Sequence, residues 1–205
     1  LRGAGAMGAF SAVSREIYRA LVGCEFGKRA RGIAETRLNP TLDPGLATRN
    51  SLMNEPVANL ASRDRNRTDI LHEYFVPPER FVAFRAACRE IIPGSGCDCL
   101  NVTLRYVAAD PDSTLAYAPS PRIGAVMSFS QGLTPGDEAA MMRMTEALIE
   151  RVVALGGAYY LPYRLHARRD QMARAYPRLD AFVAAKRRYD PGLLFRNALW
   201  STSMA

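Results

Sequence analysis

The sequence predicts an α+β domain of ferredoxin-like βαββαβ order between residues 70 and 164, an antiparallel sheet with both helices on one face. Three observations carry this. Residues 100–105 and 123–130 alternate apolar with polar side chains, as half-buried strands do. Residues 79–92 and 135–155 carry apolar side chains at helical spacing. Strand-like segments at 70–77 and 158–164 flank these four, and the order that results is strand, helix, strand, strand, helix, strand.

Residues 1–69 are expected to form a helical and irregular N-terminal extension. Leu1 to Phe10 is rich in glycine and alanine and reads as a frayed end. Val13, Ile17, Leu21 and Phe26 recur at near-helical spacing within 11–35, although Gly23 and Gly27 interrupt them. Asn39-Pro40, Asp43-Pro44-Gly45 and Asn54-Glu55-Pro56 mark 36–69 as an irregular connector.

Residues 70–205 form the second unit. After the first strand Pro78 turns the chain into a helix whose Phe81, Phe84, Cys88, Ile91 and Ile92 share a face, and Pro93-Gly94-Ser95-Gly96 stops it. If Leu100, Val102 and Leu104 face the helices, Asn101, Thr103 and Arg105 face away. By the same parity Ile123, Ala125, Met127 and Phe129 point to the helices, and Ser128 and Ser130 do not. Thr134-Pro135-Gly136-Asp137 is a helix start with a hydroxyl cap, a first-turn proline and an acid three residues on. Met141, Met144, Leu148, Val152 and Leu155 carry that helix, as core side chains, to Gly156-Gly157. A C-terminal helical stretch begins at Asp170, breaks at Pro177, and ends at Asp190-Pro191-Gly192.

A length of 205 residues with 48% hydrophobic and 23% charged residues suits one globular domain with an extension. No apolar run reaches the roughly 18 residues of a membrane helix, so no transmembrane segment is expected. Cys97-Asp98-Cys99 is too tight for a common zinc clip and no histidine completes a metal site. Free thiols are therefore expected for Cys24, Cys88, Cys97 and Cys99, which points to a reducing, cytoplasmic compartment. The net charge of +7 is scattered, with no block of five like charges. Nucleic acid is not the expected partner, because the strand from Leu100 to Val107 lacks the aromatic, glycine-punctuated ribonucleoprotein signature.

The helix-free face of the sheet is the candidate site. Arg105, Asn101, Thr103, Ser128 and Ser130 lie there by alternation, Glu73 joins from the first strand, and Tyr159 or Tyr163 from the fourth. An acid, an arginine, an amide, hydroxyls and phenols suit a polar, hydroxyl-rich molecule. A wet face of an antiparallel sheet produces the same pattern with no ligand at all. His72, next to Glu73, is expected on the opposite side, and His166 follows the fourth strand toward the rim.

Three segments, Ala158-Tyr159-Tyr160-Leu161-Pro162-Tyr163-Arg164-Leu165-His166, the run from Lys186 to Asn197, and His72-Glu73-Tyr74-Phe75-Val76-Pro77, carry a family resemblance. In order and spacing, over Ile70 to Trp200, they resemble the C-terminal cap domain of flavin-linked oxidases of the vanillyl-alcohol oxidase superfamily, near the alditol, sugar-lactone and decaprenylphosphoryl-ribose oxidases. The resemblance implies a cap over FAD, with the FAD-binding domain or subunit lying outside this chain. It implies oxidation of a CH–OH group of a sugar, polyol or sugar lactone by hydride transfer to flavin, and a chain inactive by itself. Arg105, Tyr163 and Glu73 would be catalytic. Asn101, Thr103, Ser128, Ser130, Arg164 and His166 would bind substrate, and Asn197 would touch the flavin side. Two positions depart from the family pattern: Thr103 stands where alditol oxidases carry an acid, and Tyr163 where decaprenylphosphoryl-ribose oxidases carry a lysine. The alternative is a stand-alone ferredoxin-like module that binds a ligand or a protein without catalysis.

Overall fold

The computed structural model describes residues 19–20, 22–38 and 64–204, and the chain divides into two units at Asp69/Ile70. In the first unit a helix, α1 (Glu25–Ile33), starts at Cys24, whose sulfur accepts from the Gly27 N–H, and runs into a π-turn at Ala34–Leu38. None of its residues is buried. The frayed end expected over 1–10, the part of the expected helix before Arg19, and the connector over 39–63 lie outside the described residues.

The second unit carries the expected topology. Strand β1 (Arg67–Val76) leads through a 3-10 turn into α2 (Phe81–Gly94), then β2 (Asp98–Val107), β3 (Arg122–Gly132), α3 (Pro135–Ala154) and β4 (Ala158–Tyr159). Two further helices, α4 (Arg169–Ala175) and α5 (Leu179–Tyr189), complete the chain before a final π-turn. The strand order is β2-β3-β1-β4, and the two registered pairs, β2–β3 and β1–β4, are antiparallel. This antiparallel sheet is the split-βαβ arrangement.

One apolar core fixes the layer order. Ile70, Tyr74 and Val76 of β1 and Ala125, Met127 and Phe129 of β3 pack with Phe84 of α2 and with Met141, Met144, Leu148 and Val152 of α3. Within each strand these residues share one parity, so both helices lie on the same face, as expected. Met172, Tyr176 and Trp200 close the core from the C-terminal segment. The stripe on α3 works because its start is held by a complete capping box. The Thr134 hydroxyl accepts from Asp137 N–H at 3.2 Å, and the Asp137 carboxylate accepts from Thr134 N–H at 3.2 Å. At its far end, a Cβ on Gly157 would collide with the Phe75 carbonyl and Val152, so only glycine lets the α3–β4 turn approach β1.

Two strands differ from expectation. The fourth was expected over 158–164 and is hydrogen-bonded as a strand only at Ala158–Tyr159, with one further bond from Tyr160 N–H to the Glu73 carbonyl. Pro162 has no N–H to continue a ladder, and the chain turns there. In β2 a bulge between Cys99 and Asn101 takes Leu100 out of the alternation, and Leu100 is buried outside the main core. Val102 and Leu104 do face the helix side, opposite Met127 and Ala125, yet they are 44% and 52% exposed. β2 is an edge strand that no helix fully covers.

Candidate functional site

The helix-free face is built from β2 outward. Asn101, Thr103 and Arg105 pair across with Ser128, Val126 and Gly124, all of one parity, and Glu73 and Phe75 continue the face on β1. Asn101 donates to the Thr103 hydroxyl at 3.3 Å. Gly124 has a structural reason: a Cβ there would press at 3.3 Å on the Phe75 ring, which lies across β3. Phe75 in turn stacks on Tyr117 with ring centres 4.1 Å apart. Tyr117 meets Tyr160 edge-on at 5.9 Å, and Tyr160 meets Tyr163 at 4.9 Å. An aromatic row therefore crosses the face and ends beside the charged groups.

Those groups are Glu73 and Arg105. The Glu73 side chain is 10% exposed and its oxygen lies 3.9 Å from the Arg105 guanidinium, which is 58% exposed. Burial pushes the Glu73 carboxyl above the usual carboxylate range, and Arg105 pulls it part of the way back. At 3.9 Å the pair is an ionic contact and not a hydrogen bond. A carboxylate held in this way keeps acceptor capacity for a further donor. The Tyr163 phenol is pushed up by its own burial first, then by Glu73 and Tyr160, with Arg105 opposing.

The expected site residues divide into two groups. Arg105, Glu73, Tyr163, Asn101, Thr103 and Ser128 share the helix-free face. Ser130 has the right parity but is 2% exposed, so its hydroxyl is closed off from a substrate. Tyr159 pairs with Tyr74 and belongs to the core, where the Tyr176 hydroxyl donates to its carbonyl. Arg164 and His166 lie on the helix side, because the turn at Pro162 carries the chain round the end of the sheet. His166 Nε2 is 3.0 Å from Glu138 and its Nδ1 is 3.3 Å from the Thr145 hydroxyl. That hydroxyl is also 3.3 Å from His72 Nε2, and Arg164 lies 3.7 Å from Glu138. His166 belongs to a buried polar cluster under α3, whereas Arg164 stays 43% exposed at the edge of that cluster; both stand off the helix-free face to which a substrate-binding role was assigned. Asn197 is exposed, and its carboxamide oxygen accepts from Trp200 N–H at 2.9 Å, which makes it the cap of the last turn. Tyr117 and Tyr160 are the residues that sequence reasoning missed. Parity along the fourth strand could have found Tyr160 once Tyr159 was assigned to the core; nothing local marks Tyr117, which arrives from a loop.

Backbone N–H groups opening a helix after a strand are one common way to hold a pyrophosphate. Here α3 follows β3 with its first turn capped by its own Asp137 carboxylate, and the 3-10 turn that leads into α2 opens on Pro77-Pro78. Among the described residues no three metal-ligating side chains converge, and no helix is long and apolar enough to cross a membrane. All four cysteines are free thiols.

No protein-family model matches the chain, and no curated protein matches it.

Proposed function

We propose that this chain is the substrate-covering cap of a flavin-dependent oxidoreductase acting on the CH–OH group of a sugar, polyol or sugar lactone. The observation that carries the reading is the convergence of Glu73, Arg105 and Tyr163 on the helix-free face. Arg105 presents a fixed fork of donors suited to the oxygens of a polar substrate. Glu73, buried and with its proton affinity raised, is suited to take the proton of the reacting hydroxyl. Tyr163 can donate to a neighbouring oxygen, and the aromatic row lines the face beside it. Bound by its own unit, the flavin would supply the hydride acceptor.

The test is kinetic, in an enzyme reconstituted with the flavin-binding unit. Arg105→Lys and Arg105→Ala should lower kcat/KM by about 10–100-fold, equivalent to about 1.4–3 kcal/mol, with folding unchanged because the side chain is exposed. Glu73→Gln should remove the acidic limb of the pH–rate profile. Unchanged kinetics in both variants would overturn the catalytic reading and leave a binding module.

A further inference from the structure

A second site lies on the other side of the sheet and stands apart from the cap reading. Because α2 does not cover the edge strand β2, an open groove of about 390 Å³ runs between them, within the roughly 300–1,000 Å³ range of small-molecule sites. Its floor is Ala125 and Met127 of β3, and Val102 and Leu104 form the wall on the β2 side. Along α2 its lining recurs at Phe81, Phe84, Cys88 and Ile92, three turns of helix. At 1.5 Å per residue that is a furrow about 16 Å long, the shape of an extended chain more than of a compact ring.

Its rim has a definite charge. Arg85 and Arg89, one helical turn apart, contribute their stems to the lining. Both are exposed, and neither has an ion-pair or hydrogen-bond partner among the described residues. This sets them apart from Arg105, Arg151, Arg164, Arg168 and Arg174, each held by a carboxylate. An apolar furrow beside two free guanidiniums is complementary to a molecule that is apolar along its length and anionic at one end. A second copy of this chain is a poor occupant, since docking would bring like arginine pairs of two +7 molecules together.

We propose that the groove between α2 and β2 binds a linear acyl-chain anion, its chain along Phe81, Phe84, Cys88 and Ile92 and its headgroup between Arg85 and Arg89. Nothing in this depends on the reading of the helix-free face, so the two stand or fall separately.

Dodecanoate below its micelle threshold, titrated into the full chain by calorimetry, should bind at about one site. Arg85→Glu/Arg89→Glu should weaken it by at least about tenfold, as the loss of charge-assisted contacts requires. Arg187→Glu/Arg188→Glu makes the same change in net charge on α5 and should leave affinity unchanged. Dodecyl maltoside, with the same chain and no charge, should bind more weakly than dodecanoate to the parent and equally to both variants. A diazirine-bearing dodecanoate should cross-link to peptides containing residues 81–93 and 102–104. No saturable binding, equal weakening by the two charge reversals, or cross-links elsewhere would overturn the proposal. So would a dimer in light scattering that Val102→Asp dissociates, which would give the groove to a second copy.

Discussion

Acidification should destabilise this protein well above the range in which its carboxylates protonate, and His72 is the reason. The imidazole is 4% exposed, packed between Tyr74, Phe129 and His166, with its Nε2 near the Thr145 hydroxyl. Burial, and after it the neighbouring His166 and Arg164, hold its pKa down at about 3, with Glu138 opposing. In the unfolded chain the same group titrates at about 6.5. Between those values the unfolded state binds a proton that the folded state refuses, so stability is complete above about pH 6.5 and falls as the pH drops toward 3. Each unit below 6.5 costs about 1.4 kcal/mol, which gives about 2 kcal/mol at pH 5. The assay is urea unfolding at pH 7, 6 and 5, comparing the parent chain with His72→Leu. The absolute stability of the variant at pH 7 is immaterial; the difference in slope is the readout. The parent should lose about 2 kcal/mol more than the variant between pH 7 and 5. Parallel pH dependences would refute the argument, because they would mean that His72 is protonated in place or already shielded in the unfolded chain.

Glu73 has the opposite direction of linkage. Its raised pKa means that the folded state binds the proton more tightly, so its contribution is complete below the usual glutamate value and is lost as the pH rises through the folded one. Glu73→Gln should therefore gain stability relative to the parent on going from pH 4 to 7, in the same urea assay; a constant offset would show that Arg105 fully compensates the buried charge. Thr134→Ala removes the hydroxyl that accepts from Asp137 N–H and should cost about 1 kcal/mol, within a range of 0.5–2. A loss below a few tenths, measured by the unfolding midpoint, would mean that the Asp137 carboxylate suffices to hold the end of α3.

The order of elements was legible because each carries its own evidence. The apolar stripes at Phe81, Phe84 and Cys88 and at Met141, Met144 and Leu148 declare helices and their buried sides. The alternation from Ile123 to Phe129 declares a strand, and Thr134 with Asp137 declares a cap. Arg105, Asn101, Thr103 and Glu73 could be placed on the helix-free face for the same reason, since parity is a local property.

Tertiary structure decided the rest, because neighbours are not written in any one segment. Whether β2 is central or at an edge depends on strand order, so Val102 and Leu104 look like core in the sequence and stand half exposed over an open groove in the fold. The register of Tyr159 against Tyr74 sends Tyr159 to the core and Tyr160 to the site. The turn at Pro162 then returns Tyr163 to the helix-free face and delivers Arg164 and His166 to Glu138 on the other. Periodicity fixes which side of an element is apolar; only the packed chain fixes what stands opposite it.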